Sequence, residues 1–343
     1  MGRLLRRRRL TTLLTVFTAL LLLLAPVNPA ISAALPADPV AAAAQVEPTV
    51  VRIDTTINYQ NAYGVGTGIV LDPGGQVLTN YHVVQGADRI DGTVGGRSYA
   101  AQLVGYDRKR DVAVLQLLGA SGLAPAPIGD SAQLVPGEPV VALGNAQGTG
   151  APLTREVGTV TGFDRTVTAE DALTGTSDEL GGLIEFAAPV RAGDSGGPVV
   201  NGAGQVVGIT TAASVNFRMG PGGKGYAIPI NDAMGVAGQI RAGVPSDSVH
   251  IGPPTLLGVG VRTAPLRDRS GVLIQEVMRG GPAEAAGLQD GDILTSIDGT
   301  PLDTSTTLTY VLDRHYPGDV IDLTWIDNTG QQRTGKATLT SGL

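Results

Sequence analysis

Residues 191–200, RAGDSGGPVV, place an aspartate and a serine among three glycines and then run into a β-branched segment. An ordinary tight turn needs one glycine or asparagine where φ is positive. Three glycines around one serine indicate a backbone bent so that its N–H groups point outward, as the oxyanion of a tetrahedral intermediate requires. Ser195 is therefore a candidate nucleophile, and the N–H groups of Gly193 and Ser195 are the candidate oxyanion hole.

A serine hydroxyl needs a base to take its proton, and the base needs a third group to orient it. The chain has three histidines. His250 falls in a segment between two domains and His315 in the second domain, which leaves His82 as the candidate base. Asp111 opens DVAVLQL, a strand that is apolar on both faces and whose packing would fix the direction of the carboxylate. Asp111 is the candidate orienting group.

Composition limits the class of protein. The chain has 343 residues, which suggests two domains, and its 49 glycines with 16% charged residues favour short strands and tight turns over long surface helices. A net charge of −7 argues against binding of nucleic acid. The lack of cysteine excludes disulfides, thiol catalysis and zinc-thiolate sites. With three histidines, we predict no metal site and no cofactor.

The N-terminal segment reads as an export signal. Five arginines precede an apolar run from Leu10 to Ala25, and small residues follow as far as Ala34. The run is shorter than the ~20 residues that span a bilayer. Residues 1–34 are therefore interpreted as a cleaved signal peptide in preference to a retained membrane anchor, and either one exports the remainder. Residues 35–48 are an Ala/Pro-rich linker.

The mature chain divides into two domains. Residues 49–243 hold two groups of about six short strands, typical of a pair of small antiparallel barrels, and end in a helix over 230–243. Residues 244–255 are predicted to be a linker. Residues 256–343 combine strands with two short helices, the first of which is ended by Gly287, as in a small α+β domain.

The motifs resemble a known family. TNYHVV around His82, DVAVL at Asp111 and GDSGGP at Ser195 resemble the catalytic motifs of trypsin-like serine proteases. GTGIVLDPGGQVLTNYHVVQGAD and IGDSAQLVPGEPVVALGN resemble the HtrA (DegP-like) branch, and GPAEAAGLQDGDILTSIDG resembles a PDZ domain. The resemblance covers residues 49–340. It implies a mostly β fold, a chymotrypsin-like double antiparallel β-barrel followed by a small α+β PDZ-like domain. The implied function is an ATP-independent serine endopeptidase that cleaves misfolded or unfolded envelope proteins.

A PDZ-like domain implies peptide partners, namely C-terminal peptides and unfolded polypeptides. Such a peptide adds a strand to a sheet edge while backbone N–H groups hold its terminal carboxylate. In LLGV, the expected donors are Leu257, Gly258 and Val259. The residues expected to line the pocket for the last side chain of the peptide are Leu308, Val311 and Leu312.

The specificity pocket is expected beside the serine loop, with Pro189 and Val190 as its wall and Tyr226 contributed by the strand GYA. The absence of an acid at Pro189 argues against a preference for lysine or arginine. A shallow apolar pocket favours small aliphatic side chains, with modest discrimination of about 1–3 kcal/mol per methylene.

Two positions depart from the HtrA pattern. Asp194 stands where HtrA proteases usually carry asparagine, with Arg191 as a nearby candidate partner, and Ala187 stands where the motif has aspartate. The altered loop leaves open a latent protease fold that works as a peptide-binding holdase or sensor. A regulatory protease with one dedicated substrate is a further alternative. HtrA relatives are often trimers joined by aromatic residues near the mature N-terminus. Residues 35–50 contain no aromatic residue, so a trimer has little support here.

Overall fold

The computed structural model describes residues 38–58, 62–145, 148, 152–170, 177–211, 223–263 and 271–342. The predicted export segment, residues 1–34, lies outside the described residues. Across the ranges that are described, no helix has the length and apolar character needed to cross a membrane.

Short strands dominate, as the sequence predicts. The helices are α1 (Pro39–Ala44), α2 (Tyr81–Val84), α3 (Ile230–Arg241), α4 (Pro282–Ala286) and α5 (Ser305–Leu312). The strands are β1 (Val50–Ile57), β2 (Ala62–Val70), β3 (Gln76–Thr79), β4 (Arg89–Val94), β5 (Arg97–Asp107), β6 (Val112–Leu117), β7 (Pro139–Gly144), β8 (Thr154–Glu170), β9 (Ser177–Phe186), β10 (Pro198–Asn201), β11 (Val206–Thr211), β12 (Gly225–Pro229), β13 (Val249–Ile251), β14 (Thr255–Leu256), β15 (Val259–Thr263), β16 (Val272–Val277), β17 (Ile293–Ile297), β18 (Thr300–Pro301), β19 (Val320–Ile326), β20 (Gln332–Thr338) and β21 (Thr340–Ser341).

The first sheet has the strand order β13-β5-β4-β1-β2-β3-β6, and all of its pairings are antiparallel. Strand β6 also pairs with β5, which closes the sheet into a barrel. Its interior is filled by fully buried side chains such as Ile53, Val77, Tyr106 and Leu115. Burial on both faces explains the apolar run of β6, which begins directly after Asp111.

The second barrel is closed by β7 to β12 in the order β10-β11-β12-β9-β8-β7. Helix α3 follows β12 and buries Ile230, Val236 and Ile240 in a core that it shares with Leu143 and Ile209. The helix predicted over 230–243 is therefore present, and it ends at Arg241. The double-barrel fold class is confirmed.

The small domain is built on the sheet β15-β16-β17-β19-β20 with β18 beside β17. Its core gathers Ile274, Leu294, Leu308 and Trp325. Helix α4 ends at Gly287, whose φ of 96° is the left-handed conformation that glycine adopts most easily. Strand β15 lies at the edge of the sheet, so its outer side is available to an added strand.

Two segments predicted as linkers contain regular structure. Residues 39–44 form α1, capped by the Asp38 carboxylate, which accepts a hydrogen bond from the Val40 N–H at 3.0 Å. Residues 249–251 form β13, which extends the first sheet by pairing with β5. The turn-forming residues around β13 predict a loop. The segment forms a strand instead because the edge of β5 has backbone N–H and C=O groups with which residues 249–251 pair.

The small domain contacts the first barrel through a polar and aromatic cluster. The Asp313 carboxylate at the end of α5 accepts hydrogen bonds from the Tyr106 hydroxyl at 2.7 Å and the Arg108 Nε at 2.6 Å. Arg108 also donates to the Tyr81 hydroxyl at 3.1 Å. Burial, helped by the neighbouring Tyr81 and Asp313, raises the pKa of Tyr106 far above its usual value, so this phenol stays a neutral donor. We call this cluster the interdomain joint; its members are Tyr81, Tyr106, Arg108, His250, Asp313 and Tyr316.

Candidate active site

The predicted base and its orienting acid are in direct contact. The His82 Nδ1 lies 2.8 Å from Asp111 Oδ2, and the His82 backbone N–H donates to Asp111 Oδ1 at 3.0 Å. Asp111 is buried, with 4% of its surface exposed, whereas 43% of the His82 side chain is exposed. A carboxylate at Nδ1 favours the tautomer that carries its proton there, which leaves Nε2 with the lone pair that a general base needs.

Thr211 makes a further contact to the same acid. Its hydroxyl donates to Asp111 Oδ2 at 3.1 Å, and Thr211 is almost fully buried. The sequence pattern gives no indication of this contact. A threonine at the end of an apolar strand carries no sequence signal that distinguishes a catalytic neighbour from an ordinary strand residue.

The serine turn is anchored to both barrels. The Ser195 carbonyl accepts from the Thr67 N–H of β2 at 2.8 Å, and the Gly196 N–H donates to the Thr210 carbonyl at 2.8 Å. Thr210 immediately precedes Thr211, which binds Asp111. Strand β11 of the second barrel therefore binds the serine turn through Thr210 and Asp111 of the first barrel through Thr211. Ser195 is itself 6% exposed.

Gly193 adopts φ 98°, a conformation that favours glycine. Its carbonyl accepts from the Thr67 hydroxyl at 2.7 Å and, more weakly, from the Asn145 N–H at 3.4 Å. In the described part of the chain, the Gly193 N–H has no hydrogen-bond acceptor. This amide is thus suited to the role in the oxyanion hole that the sequence predicts.

Asp194 is a buried carboxylate with 1% exposure. It accepts from the Thr154 hydroxyl at 2.6 Å and from the Arg191 backbone N–H at 2.9 Å. The contact with Arg191 is made by its backbone, while its guanidinium lies 3.8 Å from Glu156. Asp194 therefore fixes the turn over 191–194 that carries Gly193.

The three residues predicted to line the specificity pocket differ in burial and in the core cluster that they contact. Val190 is buried in the second-barrel core beside Ala188 and Phe186, and Pro189 next to it is exposed. Tyr226 is half-buried on β12 and packs against a different core cluster. The assignment of these residues to a specificity pocket stays a prediction.

The predicted peptide-binding residues lie on β15, its preceding loop and α5. Leu257 is buried, Gly258 has φ 79°, and Val259 begins the edge strand β15. On α5, Leu308 and Val311 are buried in the domain core, and the half-buried Leu312 packs against the same core, as does Val259. Leu308 and Val311 are thus core residues and Leu312 is the more accessible of the three, and the assignment of these residues to peptide binding stays a prediction.

Comparison with known proteins agrees with this architecture. A family model of the trypsin-like peptidase domain matches residues 66–209, and one of the PDZ domain matches residues 256–333. A solved structure of an HtrA-type protease AlgW variant with a decapeptide is similar at a TM-score of 0.50 and 26% sequence identity, covering 88% of this chain and 97% of that one.

Several curated serine proteases are similar to this chain in sequence. Serine protease PepD of Mycobacterium tuberculosis is 31% identical over 87% of this chain and 65% of its own length. Serine protease Do-like HtrA of Lactococcus lactis is 30% identical over 80% of this chain and 71% of its own length. The chain spans just under two thirds of the length of PepD and of two further relatives, 64% for HhoA of Synechocystis and 65% for Protease Do-like 1 of Arabidopsis thaliana. On this evidence, the chain belongs to the HtrA (Do-like) family of serine proteases and carries one PDZ domain.

Proposed function

We propose that this protein is an exported, ATP-independent serine endopeptidase that cleaves misfolded or unfolded proteins of the cell envelope. The observation that carries the proposal is the hydrogen bond of His82 to the buried Asp111. Strand β11 binds both Asp111 and the turn that contains Ser195. Family membership supports the reaction class.

In the proposed reaction, His82 Nε2 takes the proton of Ser195 as the Ser195 Oγ attacks the carbonyl carbon of the scissile peptide. The N–H groups of Gly193 and Ser195 stabilise the oxyanion that forms. The protonated His82 then gives its proton to the leaving amine, and the C–N bond breaks to leave an acyl-enzyme. Water, deprotonated by His82, attacks the ester, and Ser195 regains its proton as the carboxylic acid product leaves.

Asp111 holds the His82 ring through Nδ1 and stabilises the imidazolium that appears in each half-reaction. Burial strengthens this effect because the carboxylate is shielded from water. No cofactor takes part in the proposed reaction.

Two further observations support the proposed export of the protein and its proposed class of substrate. The arginine-rich, apolar N-terminal pattern is typical of an export signal. One relative, 34% identical over 81% of this chain, is named a probable periplasmic serine endoprotease DegP-like, from Pseudomonas savastanoi. Peptide binding is assigned to the PDZ domain through the open edge of β15.

The test is active-site labelling of the full chain with a fluorophosphonate, compared with the Ser195→Ala variant. We expect labelling of the wild type, no labelling of the variant, and degradation of unfolded casein by the wild type alone. A wild-type chain that stays unlabelled even with C-terminal peptides present would favour the peptide-binding holdase. Labelling combined with a single cut in a single envelope protein would favour the dedicated regulatory protease.

A further inference from the structure

Asn80 lies two residues before the proposed base and is completely buried. Its side-chain amide donates to the backbone carbonyl of Asp111 at 2.9 Å. Asparagine at the start of a helix usually accepts a hydrogen bond from a backbone N–H of the first turn. Asn80 is the N-cap of α2, but its side chain makes no capping bond. Its side chain is instead directed across the site to Asp111.

The carbonyl that Asn80 holds belongs to a residue in an unfavourable backbone conformation. Asp111 has φ 55°, in the left-handed region that non-glycine residues seldom adopt. Such a conformation persists only where its surroundings enforce it. A hydrogen bond to the Asp111 carbonyl fixes the orientation of the following peptide plane, and so restrains the backbone from which the carboxylate projects.

Residues 80–82 therefore contact Asp111 at three atoms. The Asn80 amide binds the carbonyl oxygen, the His82 N–H binds Oδ1, and the His82 ring binds Oδ2. Because all three contacts arise from one short segment, the positions of the base and of its acid are set together.

The unused oxygen of the Asn80 side chain strengthens the case for a specific role. Asn80 Oδ1 is buried and has no hydrogen-bond partner within the described residues. A buried polar atom without a partner is destabilising, and an apolar side chain of similar size would avoid that cost. The hydrogen bond from Nδ2 to the Asp111 carbonyl is therefore the interaction that explains why an amide side chain occupies this position.

We propose that Asn80 is a positioning residue of the peptidase, which holds the Asp111 backbone in its left-handed conformation and thereby aims the carboxylate at His82. The inference rests on the proposed catalytic triad. Asn80 touches neither the substrate nor the reacting atoms.

The test compares the full-length wild type with Asn80→Ala, which lacks the donor, and Asn80→Asp, which is isosteric but faces the carbonyl with an oxygen. The matched control is Asn231→Ala. Asn231, at the start of α3, donates to Asp130 Oδ1 at 2.7 Å and has no contact with the triad among the described residues. Rates are normalised to the folded fraction measured by circular dichroism.

We expect kcat/KM of the Asn80 variants to fall by about 10- to 100-fold through kcat, since small misplacement of a catalytic group has effects of that size. The acid limb of the pH profile of kcat/KM should move to lower pH, because an imidazolium less well aligned with Asp111 is less stabilised. Asn80→Asp should be the more severe variant. The control should keep the wild-type profile.

Proton NMR adds a readout that does not depend on activity. The hydrogen bond between His82 Nδ1–H and Asp111 gives a far-downfield resonance, which we expect to shift upfield or vanish in the Asn80 variants and to persist in Ser195→Ala. Unchanged pH profiles, or an unchanged resonance, would overturn the role of Asn80. Failure of the wild type to react with the fluorophosphonate would instead overturn the proposed function, and the resonance would still decide the positioning role. If Asn80→Asp does not fold, Asn80→Ala and Asn80→Ser are measured in the same way.

Discussion

Gly196→Ala tests whether the close fit of the serine turn between the barrels sets the activity. Gly196 has φ 83°, and a Cβ there would overlap the Thr67 carbonyl oxygen and the Thr79 hydroxyl and lie 3.1 Å from the Thr67 carbonyl carbon. The Thr79 hydroxyl already donates to the Thr67 carbonyl at 2.7 Å, so the methyl group would also disturb that bond. Thr79 lies three residues before His82, and the overlap therefore reaches the base as well as the nucleophile.

The magnitude follows from two costs. A left-handed conformation costs an alanine about 1–2 kcal/mol. Insertion of a methyl group into a closely packed site costs about 1–3 kcal/mol where the surroundings do not move. We expect a loss of about 2–5 kcal/mol in the free energy of unfolding if the turn stays in place. If the turn shifts by about 1 Å instead, the labelling rate should fall about 100-fold.

The assay measures thermal unfolding and the rate of fluorophosphonate labelling on the same samples. Gly202→Ala is the matched control, since a Cβ at Gly202 meets nothing within 4 Å and its φ is not positive. We expect the control to retain both the stability and the labelling rate. A Gly196→Ala variant with wild-type values of both quantities would show that the serine turn tolerates a side chain and would refute the packing argument.

Three further predictions concern the interdomain joint and the surroundings of the site. Asp313→Asn leaves the buried Arg108 without its carboxylate, so the free energy of unfolding, measured by thermal unfolding, should fall by about 3–5 kcal/mol, and the double variant Arg108→Met with Asp313→Leu should recover most of that loss. An Asp313→Asn variant of wild-type stability would show that the interdomain joint does not stabilise the protein. Thr211→Val removes one donor to Asp111, and the labelling rate should fall about 10- to 150-fold, which corresponds to the ~1.5–3 kcal/mol of a hydrogen bond to a charged group. A wild-type labelling rate would assign Thr211 a purely structural role. Asp194→Ala removes the acceptor for the Thr154 hydroxyl and the Arg191 N–H, so the labelling rate should fall about 100-fold, whereas Asp194→Asn, which can still accept from Arg191, should stay close to wild type. A wild-type labelling rate for Asp194→Ala would argue against this side chain as the anchor of the turn.

Much of the fold could be predicted because the signals are local. Alternation of apolar residues identified the strands of both barrels, and the spacing in INDAMGVAGQIR identified α3. Gly287 as the end of α4 follows from the φ that glycine alone adopts without strain. Strand β13 was missed because its pairing partner, β5, is far away in the sequence, and three residues are too few for a periodic signal.

The sequence by itself determined which reactive groups the chain contains: one serine among glycines, one histidine in a motif like that of serine proteases, an aspartate before a buried strand, and no cysteine. Residue type and local spacing carry that information because nucleophile, base and backbone turn are properties of short segments. Only the tertiary structure decided which groups support them. Thr211, Thr154 and Asn80 act through contacts across 100, 40 and 31 positions of the chain, and no local pattern records a hydrogen bond that closes only when the strands pack.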